Sequence, residues 1–127
     1  MSTHEELPAD VREALARDRV VDITTRGRRS GAPQRIEIWM HQLGERIYIT
    51  GRPPRPRSWY ANLVADPAFT LHLKQAVRAD LDVRARPVTD PREREEVLRT
   101  ILGRLDLSGD LAAWVAASPL VEVTLAR

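Results

Sequence analysis

One segment of this chain restricts its fold more than any other. From Val77 to Arg86, the apolar residues Val77, Ala79, Leu81, Val83 and Ala85 alternate with Arg78, Asp80, Asp82, Arg84 and Arg86. Successive side chains of a strand point to opposite faces, so this pattern predicts a long strand with one face in a core and the other in water. Shorter segments repeat the alternation: Val21 to Thr25, Ile36 to His41, Phe69 to Lys74, and Val121 to Leu125. In the second of these, Ile36, Ile38 and Met40 share one face, and Glu37, Trp39 and His41 the other. Arg46 to Thr50 reads as a further strand. Gly27-Arg28-Arg29-Ser30-Gly31 and Leu43-Gly44-Glu45 supply turns of hairpin length.

Helical signals are fewer. Leu7 to Asp18 has Leu7, Val11, Ala14 and Leu15 at helical spacing. Gly51 to Arg57 holds three prolines and reads as a loop, after which Ser58 is a fair N-cap for a short helix, Trp59 to Ala65, ended by Asp66-Pro67. Asp90-Pro91-Arg92-Glu93 combines a cap, a first-position proline and a capping-box glutamate, and opens a helix that runs to Leu105. Leu111 to Ala117 predicts a last short helix. The order α-β-β-β-α-β-β-α-α-β predicts an α+β fold: a small antiparallel barrel of about six strands with peripheral helices. The missing βαβ alternation argues against a doubly wound dinucleotide fold. The Gly27–Gly31 spacing also lacks a third glycine and a following helix. The expectation is one domain over residues 1–127, with 1–19 an N-terminal helical segment and 20–127 the barrel and its helices.

Charge locates a candidate site. The 127 residues carry a net +2, yet Arg26 to Arg57 holds eight arginines against Glu37 and Glu45, a local +6 that leaves −4 for the remainder. A separated positive patch is the footprint of an anionic partner. Within it, Thr24 to Gly31 has two glycines that let backbone N–H groups approach a ligand. Arg28 and Arg29 add guanidinium forks and Ser30 a hydroxyl, which suits a phosphate or carboxylate, although a solvated basic turn has the same composition. In Ser58 to Leu63, Trp59 and Leu63 share a face suited to packing, and Asn62 on another face suits a polar heterocycle; an ordinary packing helix reads the same way.

Other chemistries find no apparatus. The absence of cysteine removes disulfides, thiolate metal sites and thiol nucleophiles. His4, His41 and His72 have no metal-site spacing. No Gly-x-Ser-x-Gly elbow occurs, and Asp80 and Asp82 read as cross-paired surface charges. Neither a signal peptide nor a membrane-length apolar run is evident, so a cytoplasmic protein is expected. An anion-holding patch with aromatics and no nucleophile fits chemistry carried by a cofactor.

Two blocks sharpen this expectation: Ile23-Thr24-Thr25-x-Gly27-Arg28-Arg29-Ser30-Gly31-x-Pro33, followed by Gly44 and Ile47 to Ile49, and then Trp59-Tyr60-x-Asn62-Leu63-x-Ala65-x-Pro67 ahead of a strand. In order and spacing they resemble the deazaflavin-dependent nitroreductases, or coenzyme F420-dependent quinone reductases, of the split β-barrel flavin-binding superfamily. The resemblance runs from about Val20 to Leu125. It implies an FMN-binding split barrel-like fold with F420 lying across it. By the same resemblance, Arg28, Arg29, Ser30 and Gly31 hold the phosphate and polyglutamate tail. Gln34, Arg35, Ile36, Glu37, Ile38 and Trp39 line the deazaflavin. Thr50, Gly51 and Arg52 touch its ring system, and Ser58, Trp59, Tyr60 and Asn62 belong to the helix that closes the groove.

Several positions depart from the family pattern. Glu37 stands at a family proline. Gly51 to Arg57 replaces a Gly-Gly loop, and Leu105 to Trp114 lacks the tyrosines that family members place over the substrate. The expected function is an F420H2-dependent oxidoreductase passing a hydride to an electron-poor quinone, nitro or enone acceptor. No catalytic side chain is assigned; Trp39, Arg52 and Trp114 are candidates for the acceptor pocket, and Tyr48 and Tyr60 for proton donation. The alternatives are the same barrel using FMN and a non-catalytic barrel binding a lipid or tetrapyrrole. A nucleic-acid partner is disfavoured because aromatics are few. A homodimer is left open.

Overall fold

The computed structural model describes residues 7–53 and 58–126. His4, Pro54, Arg55, Pro56 and Arg57 lie outside the described residues, and with them two arginines of the basic window. Helix α1 (Ala9–Arg17) leads into β1 (Val20–Arg26), β2 (Pro33–Leu43) and β3 (Arg46–Thr50). Helix α2 (Ser58–Ala65) precedes β4 (Ala68–Leu73) and β5 (Ala79–Pro87). Helix α3 (Pro91–Arg104), a 3₁₀ turn (Ser108–Asp110), α4 (Leu111–Ala117) and β6 (Leu120–Leu125) complete the chain. The strands form a closed barrel in the order β1-β2-β3-β6-β5-β4, with every neighbouring pair antiparallel. The expected α+β barrel of six strands with peripheral helices is therefore the observed architecture.

Most boundaries lie within one or two residues of the sequence pattern, and two of the differences have a visible reason. β5 begins at Ala79 rather than Val77, because pairing with β4 ends at Leu73 and Ala79. The connecting residues serve another purpose: the Gln75 side-chain oxygen accepts the amides of Arg19 and Val20 at 2.8 and 2.9 Å, fastening the start of β1. β2 is longer than its apolar core, since Pro33 to Arg35 still pair with Thr24 to Arg26 across the hairpin.

At α3 the Asp90 carboxylate accepts the Glu93 amide at 2.9 Å, a cap worth about 1 kcal/mol. The reciprocal half of the capping box is absent, because the Glu93 carboxylate reaches Arg86 on β5 instead. That guanidinium holds the Glu93 carboxyl below the usual carboxylate range.

The alternating faces build two cores. Val21, Ile23, Met40, Ile49, Leu71 and Val83 fill the barrel, with Leu15 of α1 and Leu63 of α2 packed in the same cluster. A second cluster joins Tyr48 and Leu120 of the wall to Leu98, Ile101 and Leu102 of α3 and Trp114 of α4. Burial of each such side chain contributes about 1.5–3 kcal/mol, so α3 and α4 are fastened to the outside of β3 and β6. No helix among the described residues is long and apolar enough to cross a membrane.

Candidate functional site

The basic turn between β1 and β2 is rigidly held. Gly31 adopts φ 75°, which favours glycine. A Cβ on Gly27 would lie 3.0 Å from both Gln34 Nε2 and Ser30 Oγ. Asn62 of α2, 1% exposed, reaches under this turn. Its Oδ1 accepts the Arg28 amide at 3.1 Å and the Arg28 guanidinium at 3.2 Å, while its Nδ2 donates to Thr25 Oγ1 at 3.1 Å and Gln34 Oε1 at 3.0 Å. Both lone pairs and both N–H groups of the amide are thereby engaged. Asn62 thus locks the turn to the helix, and Arg28 keeps its charge while bound to a neutral partner. The Ser30 hydroxyl accepts the Ala32 amide at 3.1 Å, and Arg29 is exposed.

The pleat divides the next candidates between two faces. Gln34, Ile36 and Ile38 share the face of Met40; Arg35, Glu37 and Trp39 share that of His41. Ile36 is 37% exposed and Trp39 is 47% exposed, unusual values for such side chains on a barrel wall. The cause is that β3 pairs only with Met40 to Leu43, leaving Pro33 to Trp39 uncovered on that side. The Met40 amide donates to Arg19 and the Ala32 carbonyl accepts from Gly27. By alternation the backbone groups of Arg35 and Glu37 therefore point to the uncovered edge. Their side chains enter a surface network in which Arg35 donates to Asp22 at 3.0 Å and Lys74 bridges Asp22 and Glu37. The hydrogen bond from Lys74 is the main reason that the Asp22 carboxyl lies below its ordinary range. Arg26 and Arg46 pair with Asp66 and Glu122 as well. The +6 window thus resolves, among the described residues, into a positive focus at Arg28 and Arg29, with Arg52 further along at the cavity described next.

At the far end of the uncovered edge lies a cavity of about 400 Å³, lined by Trp39, His41, Thr50, Gly51, Arg52, Leu105, Leu107 and Trp114. Trp39, Arg52 and Trp114, the three acceptor-pocket candidates, meet here. They come from β2, the segment after β3, and α4. Thr50 Oγ1 donates to the Pro119 carbonyl, so its hydroxyl fastens β3 to the start of β6. Neither Tyr48 nor Tyr60 lines the cavity. Tyr48 is 2% exposed in the second core, and Tyr60 packs edge-on against Trp59 with ring centroids 6.0 Å apart. Trp59 itself is buried in the barrel core, and Ser58 is exposed at the start of α2.

His41, Leu105 and Leu107 are cavity residues that sequence reasoning did not single out. The leucines were available only as an apolar run after α3, and His41 as an imidazole beside Trp39 and Met40. His41 is 5% exposed, and burial, reinforced by the positive charges of Arg19 and Arg104, pushes its pKa down to about 4. The ring is therefore neutral near pH 7. An unfolded chain takes up the proton from about pH 6.5 and the folded chain only near 4, so stability falls as pH drops through that window, by about 3 kcal/mol at its lower end. Urea unfolding at pH 7 and pH 4.5 measures this loss, which His41→Leu should largely abolish.

The other described histidine contrasts with it. His72 Nδ1 donates to Asp80 at 2.7 Å and its Nε2 meets Thr24 Oγ1 at 2.7 Å, so both nitrogens are partnered. A second cavity of about 360 Å³ lies beside this chain of groups, near Thr24, Arg26, Thr70, Asp82 and Arg84.

Comparison with known proteins agrees with this fold. The family model described as F420H(2)-dependent quinone reductase matches residues 2–124. No curated protein matches the sequence significantly. Among solved structures, a conserved hypothetical protein from Mycobacterium tuberculosis superposes with a TM-score of 0.74 at 15% identity, covering 95% of this chain and 82% of that one. An F420 reductase superposes with a TM-score of 0.64 at 22% identity, covering 95% of this chain and 97% of that one. A FAD-binding protein from Mesorhizobium loti gives 0.69 at 13% identity, covering 95% and 91%.

Proposed function

The chain belongs to the F420H(2)-dependent quinone reductase family, and we propose that its cofactor lies along the uncovered half of β2, between the Arg28–Arg29 turn and the Trp39 cavity. Family membership makes it an F420H2-dependent oxidoreductase acting on a small-molecule acceptor. The observation that carries the site assignment is the pairing of a rigid cationic turn with an open backbone edge that ends in an aromatic cavity. Trp39 lies six positions beyond Pro33, roughly 20 Å at the rise of a strand. That length suits an extended cofactor with an anionic tail at one end and a planar ring at the other.

In this arrangement Arg28 and Arg29 hold the phosphate and carboxylates of the tail, with Asn62 fixing the turn that presents them. The backbone N–H and C=O groups of Arg35 and Glu37 meet the polar rim of the heterocycle. Thr50, Gly51 and Arg52 border its ring. When bound, the reduced deazaflavin supplies a hydride equivalent. Trp39 and Trp114 offer flat apolar surfaces that hold a planar acceptor and exclude water from it. Arg52 places positive charge where an acceptor oxygen gains electron density. An electron-poor quinone, nitro compound or enone satisfies this pocket.

Titration with oxidised F420, followed by cofactor fluorescence anisotropy, tests the reading. Wild-type protein should bind, and Arg28→Ala with Arg29→Ala should weaken binding by about tenfold or more, as expected for losing charge-assisted contacts to an anion. Unchanged anisotropy with the wild-type protein would sink the proposal. A neighbour described as a FAD-binding protein supports a flavin, with FMN as the second reading. In that case FMN, and not F420, would saturate the protein.

A further inference from the structure

We infer that His41 is the hydrogen-bond donor that seats the acceptor, presenting a ring N–H to the acceptor's oxygen inside the cavity. The inference rests on the placement of the acceptor in the Trp39–Trp114 cavity. Its own observation is separate: His41 lines that cavity, is 5% exposed, and has no hydrogen-bond partner for either ring nitrogen among the described residues. A buried polar group without a partner costs free energy unless something satisfies it, and such groups in native proteins call for a specific explanation. The explanation differs for His72, whose nitrogens are both taken by Thr24 and Asp80.

The surroundings decide which partner suits His41. Arg52 borders the same cavity, and Arg19 and Arg104 add positive charge around the ring. Arg104 is itself held on the Gln42 carbonyl, next in sequence to His41. No carboxylate lines the cavity among the described residues. A cation is disfavoured there, and an oxygen that accepts electron density is favoured. A neutral imidazole always carries one N–H, so the ring can donate to such an oxygen without first being protonated. Trp39 and Trp114 contribute the flat walls that a planar ring requires. His41 acts as a fixed donor and gives up no proton, so the proton that completes the acceptor's reduction comes from solvent. A donor of this kind favours an acceptor whose oxygen becomes more negative as the hydride arrives.

The experiment uses full-length protein loaded with oxidised F420, in which no turnover occurs, and menadione as the probe. Calorimetry gives the menadione affinity of wild type, His41→Leu and His41→Gln. Nitrogen NMR of the histidine rings and thermal melts of the same three proteins accompany it. Expected is a roughly fivefold to tenfold weaker affinity in His41→Leu, equivalent to one neutral hydrogen bond, with partial recovery in His41→Gln. The His41 ring-nitrogen shifts of wild type should move on adding menadione, and F420 affinity should be equal in all three. Without menadione, His41→Leu should melt at or above the wild-type temperature, because leucine removes an unpartnered polar group. Wild-type menadione affinity in His41→Leu overturns the inference while leaving the cofactor site intact. So does a lowered melting temperature in both variants with unmoved ring shifts, which marks the imidazole as packing. Failure of loaded wild type to take up menadione overturns both the inference and the placement of the acceptor, whereas failure to bind F420 at all overturns the cofactor site itself.

Discussion

Arg94→Ala is expected to lower the unfolding free energy by about 3 kcal/mol, more than any exposed substitution in the chain. The reason is geometric. From α3, the half-buried Arg94 guanidinium donates to the carbonyls of Val88, Trp114, Val115 and Ser118 at 2.7 to 3.1 Å. The carbonyls of Val115 and Ser118 lie at the end of α4 and just after it, where helical hydrogen bonding leaves acceptors unsatisfied, whereas that of Trp114 also accepts the Ser118 amide and hydroxyl. Alanine removes the guanidinium from all four at once and leaves the other three without it. Lysine should rescue little, because a single ammonium does not span four acceptors that a planar fork reaches. Urea unfolding of wild type, Arg94→Ala and Arg94→Lys measures the loss; a change below about 1 kcal/mol would show that water replaces the guanidinium. The same variant should weaken acceptor binding, since Arg94 fastens the helix that carries Trp114 to the cavity.

Asn62→Leu should have the second-largest effect, and a different signature. The variant removes four hydrogen bonds and leaves Thr25 and Gln34 facing an apolar side chain, for about 2–3 kcal/mol of stability. It also releases the Arg28 turn from α2, so F420 affinity should fall about tenfold or more through the loosened turn. Melting curves and F420 anisotropy separate the two effects. A protein that melts lower and yet binds F420 as tightly as wild type would confine Asn62 to a stabilising role. Asn62→Asp keeps the acceptor for Arg28 and loses the donors to Thr25 and Gln34. It should therefore retain more affinity than stability.

Much of the barrel was legible because period-two alternation and hairpin turns are local signals. β3, α4 and the Asp90 cap follow the sequence to the residue, since each depends on neighbours within one turn or one strand. The candidate site was only half legible. The Arg28–Arg29 turn and the Trp39, Arg52 and Trp114 cluster follow from motif and charge. Which arginines keep their charge unneutralised does not, because Asp22, Asp66 and Glu122 approach Arg35, Arg26 and Arg46 only through strand register and tertiary contact. Asn62 shows the same limit. On the helix it suited a ligand, and the fold instead directs it at the turn. His41 was unremarkable in sequence because burial and the absence of a partner are properties of packing around a residue, which its neighbours in the chain do not reveal.

The position of β6 has a consequence in time. It lies between β3 and β5, pairing Ile47 with Val123 and Ala85 with Val123 on its two sides. During synthesis, the first five strands can pair into an open sheet while the strand that closes it between β3 and β5 is still missing. Closure waits for the last strand to emerge, and until then the rims of β3 and β5 are bare. Contacts so distant along the chain form slowly, and exposed rims invite pairing with another chain. The interval before residue 125 arrives is when this protein is most prone to associate wrongly.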